Sequence, residues 1–91
     1  MRVLLVVDRA KDGPGIWAMA WTSVDEDPKL LESRHFLGDS ALRVWLAGFV
    51  TRYGRSNITV DWTTSLKSDD RLAAAVRETV EPVAAKATPE P

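Results

Sequence analysis

Five consecutive aliphatic residues, Val3-Leu4-Leu5-Val6-Val7, run directly into an acid, Asp8. A run that is apolar at both alternating positions and mostly β-branched reads as a strand buried on both faces, spanning Arg2 to Asp8. Such a strand belongs in the middle of a sheet, and its terminal carboxylate then stands at the rim, where sites often lie. A chain of 91 residues has room for one core of this kind. It is small enough that a partner subunit would help to bury its apolar surface.

The segment after the strand, Arg9-Ala10-Lys11-Asp12-Gly13-Pro14-Gly15, is rich in turn formers, so the next strand should return antiparallel. That second strand, Ile16 to Val24, alternates two kinds of side chain. Ile16, Ala18, Ala20, Thr22 and Val24 make a smaller face that lets a helix approach, whereas Trp17, Met19 and Trp21 make a bulky face that demands cover. Asp25-Glu26-Asp27-Pro28 is a turn, and Lys29 to Leu37 reads as a third strand closed by Gly38. The three strands form a meander.

Leu42, Trp45, Leu46, Phe49, Val50 and Tyr53 fall on one helical stripe, with Asp39 or Ser40 as N-cap and Gly54 just past the C-terminus. Asn57 to Thr64 then alternates Ile58, Val60 and Trp62 with Thr59, Asp61 and Thr63, as a strand does. Because it is reached through a helix, it is expected to lie parallel in the sheet. Ser68 is expected to cap a second helix carrying Leu72, Val76 and Val80, which Pro82 should kink or end. The expected organisation is one α+β domain over residues 1–86, in the order β-β-β-α-β-α, with a disordered tail at 87–91.

The absence of cysteine excludes disulfides and thiolate metal sites and fits a reducing, cytoplasmic setting. The opening apolar run is too short for a secretory signal or for a bilayer span, so no membrane partner is expected. Twelve basic against thirteen acidic side chains give a net charge of −1, which does not imply nucleic-acid binding through bulk charge. His35 is the one histidine and has no company from which to build a ligand set or a catalytic triad. Arg52 and Arg55 are accounted for by the dipole at the end of the first helix.

The element order, together with VVD, a DGPG loop and the aromatic strand IWAMAW, resembles the first part of the ribonuclease H-like fold. That family pairs an acid ending the first strand with an acid on the fourth to bind divalent metal, and the matching positions are Asp8 and Asp61. The resemblance implies Mg²⁺ or Mn²⁺ as cofactor and a nuclease reaction in which metal activates water. Here the chain departs from the pattern. Ala41-Leu42-Arg43-Val44-Trp45 carries no acid where the family's helix glutamate lies, and the fifth strand and later acid are missing. Asp8 and Asp61 read more simply as strand-end acids satisfied by turn amides or arginines.

Four tryptophans are the remaining unusual feature. Trp45 and Trp62 fit the core, but Trp17 and Trp21, with Met19 between them, form a patch of the kind that marks an interface. Three functions are therefore weighed. The favoured one is a small noncatalytic ribonuclease H-like protein, of a size that fits a phage-encoded product, acting through protein contact as a homodimer or with another protein and needing no cofactor. The alternatives are a metal-dependent nuclease using Asp8 and Asp61, and a nucleic-acid-binding module using Arg9, Lys11 and exposed aromatics.

Overall fold

A computed structural model of the protein describes residues 2–11, 13, 15–22 and 27–80. Three strands, β1 (Val3–Arg9), β2 (Ile16–Thr22) and β3 (Leu30–Phe36), precede helix α1 (Asp39–Tyr53). A single 3-10 turn at Arg55–Asn57 leads to β4 (Ile58–Val60), then to helices α2 (Thr64–Ser68) and α3 (Asp70–Val80). The sheet order is β3-β2-β1-β4; β1 pairs antiparallel with β2 and parallel with β4, and β2 pairs antiparallel with β3. The expected meander with a parallel fourth strand is thus present in a mixed sheet of an α+β domain. The expected extension of β2 to Val24, the acidic turn up to Glu26, the helix end at Pro82 and the tail at 87–91 lie outside the described residues.

Side-chain alternation decides how the layers stack. Val3, Leu5 and Val7 of β1, Ile16, Ala18 and Ala20 of β2 and Val60 of β4 are buried against Leu42, Leu46 and Phe49 of α1, Leu66 of α2, and Leu72, Ala75, Val76 and Val80 of α3. All three helices therefore cover one face of the sheet. The small Ala18 and Ala20 leave room for them, as their spacing predicts. Beside this core Phe36, Trp45, Phe49 and Tyr53 pack ring to ring, with centroids 4.9–5.8 Å apart. Four ion pairs tie the layer together: Arg43 to Glu78 at 2.7 Å, Arg71 to Asp39 at 3.2 Å, Arg52 to Glu32 at 2.8 Å, and Arg9 to Asp69.

Several local expectations are corrected. β1 is not buried on both faces: Leu4 and Val6 are only half-buried, because no described helix lies on their side. The fourth strand stops at Val60 instead of continuing to Thr64. Its end is set by a turn in which the Thr63 amide donates to the Asp61 carbonyl at 2.9 Å, and the Thr63 hydroxyl caps the unforeseen α2 by accepting from the Leu66 amide. Trp62 thereby leaves the ladder, yet still packs on the core with the Arg77 guanidinium 4.7 Å from its ring centre. Ser68 ends α2 and caps nothing; Asp69 caps α3, its carboxylate accepting from the Leu72 amide at 3.1 Å. Neither Asp39 nor Ser40 is the N-cap of α1. That place is taken by Gly38. Gly54 does close α1, at φ +89° with its amide donating to Val50 at 2.8 Å, a conformation that favours glycine.

Candidate functional site

Two surfaces collect the residues singled out from the sequence. The first is a cleft of about 550 Å³ at the end of β1, lined by Asp8, Arg9 and Lys11, by Ser65 and Ser68 of α2, and by the start of α3. The parallel pairing sends β1 and β4 to the same end of the sheet, so Asp8 and Asp61 share that end as the resemblance requires. Continuing the register sets Asp61 opposite Val6, two residues short of Asp8, a separation of roughly 8 Å between Cα positions by strand geometry. Asp61 is exposed and is not among the residues that line the cleft.

Two side chains of this cleft, Arg9 and Asp69, are engaged with each other. The Asp8 carboxylate accepts from the amide of Arg9, the last residue of β1, at 2.8 Å. Arg9 is clamped to Asp69, which raises the guanidinium's pKa and holds the Asp69 carboxyl below its ordinary range. Three acids, Asp8, Asp69 and Asp70, face three bases, Arg9, Lys11 and Arg71, so the lining has no excess of positive charge to attract a phosphate backbone. Among the described residues no three His, Cys, Asp or Glu side chains gather to hold a metal ion. The donor set at Asp8 and Asp61 therefore falls short of the divalent-metal pocket that the resemblance implies.

The second surface is the face of the sheet opposite the helices. Register places Leu4, Val6 and Asp8 of β1 directly across from Trp21, Met19 and Trp17 of β2, so these six side chains share that face. Trp17 is 44% exposed and Leu30, paired with Trp21, is 49% exposed. At the Trp21 end a groove of about 400 Å³ runs among Leu4, Val6, Trp21, Thr22 and Pro28. At the other end the Trp17 ring packs against the His35 imidazole at a tilt of 36°, with ring centres 4.6 Å apart. His35 also lies over Gly15, where φ is +153° and a Cβ would collide with the imidazole. The sheet thus brings Trp17, Met19 and Trp21 together on its open side, as the alternation implies.

Two polar arrangements escaped the sequence reading. Asp69 joins the end of β1 to the start of α3 through Arg9, 60 positions away, and its one local signal is a cap residue ahead of an apolar stripe. Arg52 and Arg55 do more than complement the dipole of α1. Arg52 reaches Glu32 on β3, and Arg55 donates to the carbonyls of Val80 and Thr79 at the end of α3. No protein-family model matches this chain, and no curated protein or solved structure matches it either. No helix among the described residues is long and apolar enough to cross a membrane.

Proposed function

We propose that this is a noncatalytic protein of ribonuclease H-like design that acts through protein contact, with the open face of its sheet as the contact surface and a second copy of the chain as the occupant. The observation that carries this reading is that all the described helices lie on one side of the sheet, while Trp17, Met19, Trp21, Leu4 and Val6 share the other. Two features of the face support a second copy as the occupant. Trp17 projects at one end of β2 and the groove beside Trp21 lies at the other. A two-fold axis near Met19 would seat each Trp17 in the partner's groove, the isologous geometry of a C₂ dimer of packed sheets. Large side chains left in water forfeit roughly 2–3 kcal/mol each, which association recovers.

Sedimentation at low micromolar concentration tests this. The wild type should run as a dimer and Trp21→Glu as a folded monomer; a wild-type monomer overturns the proposal. A nuclease reading draws only on Asp8 and Asp61 lying at one end of the sheet. Mg²⁺-dependent cleavage of an RNA–DNA hybrid that is lost in Asp8→Asn would replace the noncatalytic reading with that one. A nucleic-acid-binding role through Arg9 and Lys11 would instead show as a salt-dependent shift with short duplexes.

A further inference from the structure

The sheet has two edges, and they differ. β4 offers three residues, whereas β3 offers seven, and among the described residues β3 hydrogen-bonds to a neighbouring strand only on its β2 side. Natural edge strands are blunted by proline, lysine, bulges or charges. Residues 30–36 contain neither proline nor lysine, and the register shift opposite Ala20 and Trp21 lies at one end, leaving Glu32 to Phe36 regular. Ser33, Arg34 and His35 are exposed.

Two charges on this edge ordinarily oppose pairing, but their order is self-complementary. Glu32 and Arg34 flank Ser33. In an antiparallel pair of β3 strands centred on Ser33, each Glu32 lies across from the Arg34 of the other copy. Directly opposed residues stand ~5 Å apart, nearer than the ~7 Å between alternate residues of one strand, so each carboxylate meets the other copy's guanidinium at least as closely as its own. Within one chain that contact is 3.6 Å, with Arg34 still half exposed. Shifting the centre to Arg34 sets arginine against arginine, and shifting it to Glu32 sets glutamate against glutamate. Only the Ser33 register matches the charges. On the helix side the nearest element is α1, whose Arg52 and Tyr53 hold Glu32.

We propose that two copies pair antiparallel along β3 about a two-fold axis at Ser33, extending the four-stranded sheet to eight strands. This surface is distinct from the open face, which stays uncovered in such a pair. A seven-residue edge buries less than the ~1,000 Å² of a stable interface, so the pairing is weak and is best captured covalently.

The chain has no cysteine, which makes the experiment clean. Under mild oxidation Ser33→Cys should become mostly a disulfide-linked dimer. His35→Cys should stay unlinked, because its two images lie ~14 Å apart in this register, beyond the ~7 Å reach of a disulfide. Both variants are also made in the Trp21→Glu background, where the linkage must persist, so that failure of the edge and failure of the open face are read separately. Linkage at both positions alike, at neither, at His35 alone, or only with Trp21 intact overturns the proposal. A second arm uses Glu32→Arg and Arg34→Glu. Each alone opposes like charges, whereas a one-to-one mixture restores opposite charges at both sites and should associate about tenfold more tightly than either variant. Equal association of the mixture and the single variants overturns the register. If Glu32→Arg fails to fold, the cysteine pair, which touches neither charge, decides.

Discussion

The two faces of the sheet are made from alternate residues of the same strands, yet they have opposite fates. On one, Val3, Leu5, Val7, Ile16, Ala18 and Ala20 are at most 1% exposed beneath three helices. On the other, Leu4, Val6, Met19 and Trp21 are half-buried and Trp17 is 44% exposed. The larger side chains sit on the open side. Small residues suit helices, which must approach closely, whereas a row of aromatics on a face that no described helix covers is suited to contact with another surface. Buried packing is concentrated on the first face, and the proposed contact surface is the second.

Substitutions should separate the two faces sharply. The largest loss is expected from Phe49→Ala, which empties the centre of the helix-covered side and should cost ~3–5 kcal/mol in denaturant unfolding. Ala18→Leu overfills the seam between β2 and the helices and should cost ~1–3 kcal/mol. Asp69→Ala removes both the α3 cap and the partner of Arg9, for ~1–2 kcal/mol. The Asp69 carboxyl is held below its ordinary range, so its contribution is complete above the unfolded value of about 3.9 and is lost as pH falls through the lower folded value. The stability gap between wild type and Asp69→Ala should therefore narrow only in that acid range. On the open face, Trp17→Lys should change monomer stability by less than ~1 kcal/mol while weakening self-association. A Trp17→Lys loss as large as that of Phe49→Ala would erase the distinction between the faces.

The same contrast marks what the sequence reveals. Period-two alternation in Ile16–Thr22 assigns both faces of β2, and the 3.6-residue stripe through Leu42, Leu46 and Phe49 assigns the buried side of α1, because burial repeats with the backbone's own period. β1 is harder to assign. Val3 to Val7 is apolar at every position, so no alternation tells the sealed side from the open one. The early end of β4 depends on a Thr63 hydroxyl taking a helix amide in competition with strand pairing, and threonine suits both roles. Arg9–Asp69 and Glu32–Arg52 span 60 and 20 positions with no periodicity to betray them. Asp8 is legible as a rim residue and its Arg9 amide partner is the next residue in the chain, but the cleft that α2 and α3 build beside it depends on tertiary folding.

The four tryptophans report on both faces in one experiment. Trp17 and Trp21 belong to the open side, while Trp45 and Trp62 pack against the helix-covered core. Their indole N–H resonances can be followed by ¹H–¹⁵N NMR as the protein is diluted through the micromolar range. The resonances of Trp17 and Trp21 should move together toward their monomer positions, with Trp45 and Trp62 unchanged. Four stationary resonances, or movement confined to Trp45 and Trp62, would contradict the assignment of the open face as the surface through which this protein makes its contacts.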